Sequence, residues 1–283
     1  MEGRLRPRAG RSAEGTQATA RARGHKLALQ PELQGYVEER LLMGWSPEQI
    51  AGRLKQEHGH CIISHEAIYR FIYHRCSNKK YDWSSLLARK RVKRKVRKEY
   101  GWKPEEKIRH RVPIAMRPEY INSRSCAGHW EADTMMFRNP AHVILVACER
   151  TSRLLKITPQ KGRNAETTIA NLQAFFAPLP PSMRQSLTLD NGAEFTHHHR
   201  LNHQHGISTF FCNPHSPWQK GSVENAIGRL RRNLPRKTDI AALEHAELAS
   251  LVNRYNETPR KCLGFLTPNE VSLYPNSTVA LQA

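Results

Sequence analysis

The chain has 283 residues, and its 45 Lys and Arg against 25 Asp and Glu give a formal net charge of +20. Such a charge favours a polyanionic partner, and DNA or RNA is the first candidate. No apolar run approaches the roughly 20 residues of a membrane-spanning helix, which argues against a membrane protein. The six cysteines are widely spaced, which argues against a zinc finger and predicts reduced thiols in a cytosolic protein.

The N-terminal part of the chain changes character near residue 29. Residues 1–28 are rich in Arg, Gly and Ala, and we expect them to form a flexible basic tail. Helical periodicity follows, and residues 29–78 are predicted to form a helix-turn-helix DNA-binding domain. Within it, Ser46 and Gln49 have the pattern of a capping box, and Ser64 is placed to cap the last helix.

The last helix of this domain supplies the candidate base contacts. In helix-turn-helix proteins, the first residues of the recognition helix enter the major groove. Ser64, His65, Tyr69 and Arg70 occupy such positions and are predicted to contact DNA. The alternative is a small helical bundle whose polar face is only solvated.

A strongly basic stretch follows the helices. Eight of the ten residues at 89–98 are Lys or Arg, and no protein core could accept them. We therefore assign residues 79–125 to a basic linker in which Arg91, Lys93 and Arg94 contact DNA phosphates. A merely solvated charged surface is the alternative.

The remaining residues, 126–283, are predicted to form an α/β catalytic core with C-terminal helices. Three strands would form an antiparallel meander, followed by a helix capped by Asn164, a strand, a helix, a strand and then two further helices. The strands are expected at 129–137, 142–148, 154–158, 186–189 and 207–211, and the last helices at about 219–234 and 241–256. This order of elements is that of a ribonuclease-H-like fold.

Three acidic residues lie on different elements of this core: Asp133 in the first strand, Asp190 after the fourth, and Glu224 in a helix. Carboxylates are preferred ligands of Mg²⁺, and two such ions about 3.5–4 Å apart can promote phosphodiester cleavage. We predict that all three acids are catalytic and bind two Mg²⁺ ions, for which Mn²⁺ could substitute. An isolated Asp before Asn-Gly more often only forms a turn, so the prediction depends on all three acids together.

Other residues near Glu224 suggest contact with DNA. Lys220 and Arg231 lie four residues before and seven residues after Glu224, and both are predicted to contact phosphates. Trp218 is a weaker candidate for stacking on a base, and packing is its alternative role. The histidines at 197–199, 203 and 205 could suggest a transition-metal site, but adjacent histidines on a helix point in different directions.

Several segments resemble DDE transposases of the bacterial IS-thirty insertion-sequence family. They are GHWEAD at 128–133, LDNGAEF at 189–195, SPWQKGSVEN at 216–225 and NETPRKCLGF at 256–265, with WSPEQIA at 45–51 and ISHEAIY at 63–69. Thirty-three residues separate Asp190 from Glu224, the spacing that the family uses. The resemblance covers about residues 17–275. The chain departs from the family pattern at Ala132, where Gly is usual, and at Val223, where Asn is common.

The resemblance implies a retroviral-integrase-type catalytic core with Asp133, Asp190 and Glu224 as its triad. It also implies a Mg²⁺-dependent enzyme that binds terminal inverted repeats of double-stranded DNA, cleaves one strand and joins the 3′-OH to target DNA. We expect a homo-oligomer on DNA, associated with the nucleoid in a bacterial cytoplasm. The family has a further N-terminal helix-turn-helix that residues 1–24 are not expected to form. A plain nuclease and a catalytically silent DNA-binding regulator derived from a shortened transposase are the rival functions.

Overall fold

A computed structural model describes residues 26–76, 108–214 and 216–273. The chain forms two compact units, and the boundary between them lies between Lys95 and Val96. The predicted basic tail lies outside the described residues except for its last three positions. The predicted phosphate contacts Arg91, Lys93 and Arg94 also lie outside them.

The first unit is all-helical over its described residues. Its helices are α1 (Lys26–Leu29), α2 (Pro31–Leu42), α3 (Pro47–His58) and α4 (His65–Cys76). The predicted capping box is confirmed, because the Ser46 side chain accepts from the Gln49 amide and the Gln49 side chain accepts from the Ser46 amide. The predicted cap of α4 is also confirmed, since Ser64 Oγ accepts from the Ala67 amide at 3.2 Å.

Apolar residues at helical spacing hold these helices together. Val37 and Leu41 of α2, Ile50 and Leu54 of α3, and Ile68 and Ile72 of α4 are buried in one cluster. Fully burying a side chain of this size contributes about 1.5–3 kcal/mol. The cluster accounts for the packing of the three longer helices, and leaves the polar faces of the helices to solvent.

The second unit is a mixed α/β domain. Its strands are β1 (His129–Met136), β2 (His142–Glu149), β3 (Leu155–Lys161), β4 (Ser186–Leu189) and β5 (Ser208–Phe211). Its α-helices are α5 (Glu119–Asn122), α6 (Ala165–Phe176), α7 (His199–His205), α8 (Gly221–Leu230), α9 (His245–Asn256) and α10 (Pro268–Leu273). Short 3₁₀ helices lie at Ile114–Met116, Pro181–Met183, Ala193–Phe195, Pro217–Lys220 and Lys261–Leu263. Within the described ranges, no helix combines the length and the apolar character needed to cross a membrane.

The five strands form one sheet in the order β3-β2-β1-β4-β5. β1, β2 and β3 pair antiparallel, as predicted for the meander, whereas β4 is parallel to β1 and β5 is parallel to β4. Asn164 caps α6 by accepting from the Thr167 amide at 3.1 Å. The predicted α/β class and ribonuclease-H-like core are confirmed.

Each face of the sheet is covered by helices. On one face, Trp130 and Ala132 of β1 pack with residues of α6 and α7, including Phe176 and Leu201. On the other face, Met135 of β1 packs with residues of α8 and α9. Because side chains alternate along a strand, Glu131 and Asp133 point to the same face as Met135, towards α8.

Residues 108–125, which the sequence places in the linker, contact this sheet. The Phe211 amide of β5 donates to the carbonyl of Val112 at 2.9 Å. Arg117 Nη1 donates to Thr188 Oγ1 of β4 at 3.0 Å. These contacts attach the segment to the parallel strands that lead to Asp190.

Candidate active site

The two predicted catalytic aspartates come from neighbouring strands. Asp133 lies within β1, opposite Val146 of β2. Asp190 directly follows β4, which is parallel to β1. Leu187 and Leu189 are fully buried in the core on the other face, so the alternation along β4 directs Asp190 to the face that Asp133 shares.

The structure brings both aspartates to the ammonium group of Lys220. Lys220 Nζ lies 3.1 Å from Asp133 Oδ2 and 3.0 Å from Asp190 Oδ2. Only 5% of the lysine side chain is exposed, against 23% for Asp133 and 37% for Asp190. The two carboxylates therefore converge on one cation, from the end of the 3₁₀ helix that leads into α8.

The other oxygen of each aspartate accepts from the backbone. Asp133 Oδ1 accepts from the Thr134 amide at 2.8 Å, and Asp190 Oδ1 accepts from the Gly192 amide at 3.0 Å. These bonds orient the carboxylates so that both Oδ2 atoms face Lys220. The sequence predicted the turn at Asn191–Gly192 but could not show that its amide would orient Asp190.

The charges of this group perturb one another. Burial raises the pKa of Asp133, an effect that Lys220 opposes and Asp190 reinforces. Burial would lower the pKa of Lys220, but the attraction of Asp133 and Asp190 outweighs it, so the lysine pKa is raised. The lysine is thus held as a cation by the two acids.

Glu224 lies one helical turn after Lys220, within the first turn of α8. The residue is exposed, and its carboxylate has no hydrogen-bond or ion-pair partner among the described residues. Its pKa is raised by burial first, opposed by Lys220 and reinforced by Asp133 and Glu131. Glu224 therefore lies within the electrostatic range of the other acids without contacting them. In the described part of the chain, no three His, Cys, Asp or Glu side chains form a ready-made metal-binding group.

Sequence reasoning missed Glu131, which is fully buried two residues before Asp133. Glu131 Oε2 accepts from the amides of Ser222 at 2.7 Å and Val223 at 3.0 Å, and Oε1 forms an ion pair with Arg150. The carboxylate thus caps the N-terminus of α8, where the helix dipole favours negative charge. The available signal in the sequence was its spacing: residues two apart on a strand share a face, so Glu131 is expected on the same face as Asp133.

Glu194 was also missed. This buried carboxylate pairs with Arg163 at 2.6 Å and accepts from Thr134 Oγ1 at 2.6 Å. Since Thr134 follows Asp133 and Glu194 lies in the segment after Asp190, these bonds tie the two aspartate-bearing segments together. The available signal in the sequence was the second acidic residue of the segment LDNGAEF, which follows Asp190 closely.

The predicted DNA contacts lie in different surroundings. In the second unit, Lys220 points to the two aspartates, and Arg231 donates to the Met136 carbonyl and lies over the Phe137 ring at 4.9 Å. Trp218 is 72% exposed, whereas Trp130 is buried. The DNA-contact assignments remain predictions.

In the first unit, Ser64, His65 and Arg70 are exposed at the start of α4 and along it. Arg70 lies 3.5 Å from Glu66. Tyr69 donates its hydroxyl to Glu48 at 3.0 Å, and burial together with this carboxylate raises its pKa to about 12. The bond from Tyr69 to Glu48 joins α4 to α3, and the role of α4 in DNA binding stays a prediction.

The histidine-rich segment has other partners than a metal. Buried His198 contacts Thr209 Oγ1 at 2.8 Å and the Arg109 carbonyl at 3.0 Å. His197 lies 3.2 Å from Glu166. Neighbouring histidines therefore point in different directions, as the sequence indicated.

Comparison with known proteins identifies relatives of most of the chain. Residues 124–217 match the family described as integrase core domain. The chain is 33% identical over 250 residues to the transposase for insertion sequence element IS1086 of Cupriavidus metallidurans, covering 87% of this chain and 74% of that protein. It is 33% identical over 245 residues to transposase InsI for insertion sequence element IS30A of Escherichia coli, covering 84% of this chain and 64% of that protein.

Among solved structures, part of the chain is similar to the catalytic core domain of BIV integrase. The TM-score is 0.40 at 25% sequence identity, over 52% of this chain and 94% of that chain. The integrase core family and the transposase relatives support an enzyme of the polynucleotidyl-transferase type. Because it is 33% identical to these transposases over most of its length, the chain belongs to the IS30-type insertion-sequence transposases.

Proposed function

We propose that this protein cleaves DNA at the terminal inverted repeats of an insertion sequence and joins the freed 3′-OH to target DNA. In this proposal, Asp133, Asp190 and Glu224 are the catalytic residues and hold two Mg²⁺ ions. The observation that carries it is the convergence of Asp133 Oδ2 and Asp190 Oδ2 on one cation, at 3.1 and 3.0 Å. The names of the relatives, transposases for insertion sequence elements, support the same reaction.

The residues fit a divalent cation. Asp133 and Asp190 supply hard oxygen ligands, the type that Mg²⁺ prefers, and the ammonium group of Lys220 already stabilises their joint negative charge. Glu224 is exposed, unpartnered among the described residues and one helical turn after Lys220, and its pKa, raised by burial first, also responds to Lys220 and Asp133, which supports it as the third ligand. When bound, Mg²⁺ would polarise the phosphate and stabilise the attacking and leaving oxygens.

The remaining predicted contacts would position the DNA. Ser64, His65, Tyr69 and Arg70 would read the terminal repeat from α4, while Lys220 and Arg231 would hold phosphates near the acids. The basic stretch with Arg91, Lys93 and Arg94 would add affinity through the DNA backbone. Joining two ends of one element to a target requires more than one active site, so we propose a homo-oligomer on DNA.

The test is an end-cleavage and strand-transfer assay with Mg²⁺ or Mn²⁺, on duplexes carrying the ends of the element. Asp133→Asn, Asp190→Asn and Glu224→Gln should each lower both activities by about 10³-fold or more, while binding to the duplexes persists. Asp239→Asn, at an exposed position, is the matched control and should be active. Wild-type strand transfer by Asp190→Asn would refute the assignment. Salt-dependent DNA binding by a wild-type protein that yields no product would favour the silent regulator.

A further inference from the structure

Two arginines beside α8 adopt an unusual backbone conformation. Arg124 has φ of 56° and Arg153 has φ of 64°, both in the left-handed region. This region is unfavourable for residues other than Gly, Asn and Asp, and such residues are frequent at functional sites. Arg124 lies in the loop before β1, and Arg153 lies in the turn between β2 and β3.

Both arginines point to the same neutral atom. Arg153 Nη1 donates to Ser222 Oγ at 2.7 Å, and Arg124 Nη2 donates to it at 3.4 Å. Neither guanidinium forms an ion pair with a carboxylate of residues 26–76, 108–214 or 216–273. Two cations therefore converge on a hydroxyl group that carries no charge to balance them.

The two buried carboxylates of this region, Glu131 and Glu149, have hydrogen-bond partners other than these guanidinium groups. Glu131 already forms an ion pair with Arg150 and accepts from the amides of Ser222 and Val223. The pKa of Arg124 is lowered by burial first and then by the charges of Arg153 and Arg150, and the charge of Glu131 only partly opposes these effects. Like charges are thus crowded around the start of α8, an arrangement that an anion would stabilise.

The two loops are also held together in this arrangement. Thr151 Oγ1 is placed to donate to the carbonyls of Arg124 at 3.1 Å and Cys126 at 2.8 Å. This contact joins the loop of Arg124 to the turn of Arg153. The backbones from which the two arginine side chains project are therefore held next to each other.

We propose that Arg124 and Arg153, with Ser222 between them, form a binding site for a phosphate of the DNA strand that passes the acidic residues. Ser222 lies two residues before Glu224 on α8, and its amide donates to Glu131, two residues before Asp133 on β1, so the site lies near the proposed catalytic residues. Guanidinium groups suit phosphate oxygens because they present paired donors in a plane. The proposal rests on the proposed function for the identity of the substrate, and neither arginine was among the predicted DNA contacts.

The test measures DNA affinity of the full chain in metal-free buffer, so that its outcome is independent of catalysis. The variants are Arg124→Asn, Arg153→Asn and the double substitution, because Asn tolerates the left-handed conformation. Arg200→Asn is the control, since Arg200 lies on α7 at the other face and is paired with Glu166. The probes are fluorescent duplexes of a pre-cleaved element end and of unrelated sequence.

Each single variant should bind DNA roughly tenfold more weakly, as expected for one lost charge-assisted hydrogen bond. The slope of log affinity against log salt should become shallower by roughly 0.9 per lost phosphate contact. A loss limited to the element end would assign the site to the transposon strand, and an equal loss on the unrelated duplex would assign it to target DNA. The melting temperatures of the Asn variants should equal or exceed that of the wild type.

Wild-type affinity and salt slope in the double variant would overturn the phosphate site, even if the melting temperature fell. An equal loss of affinity in Arg200→Asn would also overturn it, because the effect would then reflect net charge. Neither result would affect the assignment of the acids, which is tested by strand transfer. Conversely, loss of DNA affinity in the Asn variants would support the site even if no strand transfer were detected.

Discussion

Glu131 accepts a hydrogen bond from the Ser222 amide at 2.7 Å, and this bond joins the strand of one proposed catalytic residue to the helix of another. Asp133 lies two residues after Glu131 on β1, and Glu224 lies two residues after Ser222 on α8. The same carboxylate forms a buried ion pair with Arg150, at the end of β2. One buried acid therefore contributes, beside the apolar contacts of α8, to the placement of this helix against the sheet.

Replacing Glu131 should destabilise the second unit to a degree that depends on the new side chain. Glu131→Ala leaves Arg150 buried without its partner and should lower the free energy of unfolding by about 3–5 kcal/mol. Glu131→Gln keeps an oxygen acceptor for the amides of α8 and should cost less. Urea unfolding followed by circular dichroism would measure both. Glu166→Gln, at an exposed ion pair, should have a free energy of unfolding close to that of the wild type. A similarly small effect of Glu131→Ala would contradict the stabilising role of the Glu131 carboxylate.

The sheet could be predicted closely from sequence because its strands have distinct boundaries. β4 has the predicted bounds, and β1, β2 and β5 each differ from prediction by one residue, whereas β3 starts one residue and ends three residues later than predicted. The C-terminal helices were less well predicted. α9 begins at His245 because Glu244 forms a capping box with Glu247. The predicted helix starts four residues earlier, at 241, because the residues before Glu244 are apolar. α8 ends at Leu230, short of the predicted 234.

The candidate site was only partly predictable. Asp133 and Asp190 could be placed together because the first and fourth strands of such a fold are neighbours. The contact of Lys220 with both acids depends on how the segment before α8 approaches the sheet, which local sequence does not determine. The roles of Glu131, Glu194, Arg124 and Arg153 also require tertiary contacts with segments distant in the sequence.

Removing the charge of Lys220 should strengthen metal binding. In the structure, its ammonium lies between the two oxygens that a divalent cation would use, so an entering ion must displace it. Lys220→Met should therefore bind Mn²⁺ more tightly than the wild type in calorimetry. The dissociation constant should fall roughly tenfold if displacing the Lys220 ammonium costs the wild type about 1.4 kcal/mol. The metal-free variant should melt at a lower temperature, because Asp133 and Asp190 then repel each other.

By linkage, saturating Mn²⁺ should raise the melting temperature of Lys220→Met by more than that of the wild type. Lys237→Met, at an exposed position, provides the control for the loss of one positive charge. Unchanged or weaker Mn²⁺ affinity in Lys220→Met would show that the lysine does not compete for the metal site.

Gly128, directly before β1, should not tolerate a side chain. Its φ is 91°, and an added Cβ would lie 2.3 Å from the carbonyl oxygen of Ser182. Gly128→Ala should therefore lower the free energy of unfolding by more than about 1 kcal/mol. Gly228→Ala is a matched control within α8, where an added Cβ would meet nothing within 4 Å, and it should stabilise the protein by up to about 1 kcal/mol. Equal changes in the free energy of unfolding for the two substitutions, measured in urea, would show that the backbone at Gly128 is no less tolerant of a side chain than that at Gly228.

His129 should make the stability of the second unit depend on pH. Its ring is buried, and Nδ1 lies 2.7 Å from Ser186 Oγ. Burial, followed by the charges of Arg150 and Arg117, lowers its pKa to about 4 from an ordinary value of 6.5. Between these values the unfolded chain binds the proton and the folded protein does not. The stability that neutral His129 contributes is therefore fully present above pH 6.5 and is lost as the pH falls through about 4. The free energy of unfolding should fall by at most about 3 kcal/mol from this cause.

The measurement is the free energy of unfolding from pH 7 to pH 4 for the wild type and for His129→Asn. The Asn variant should lose less stability than the wild type over this range, whatever its stability at neutral pH, because it lacks the group that the unfolded chain protonates. His245→Asn, at an exposed position, should follow the wild-type curve. Parallel curves for the wild type and His129→Asn would mean that this imidazole is not kept neutral by its burial beside Arg150.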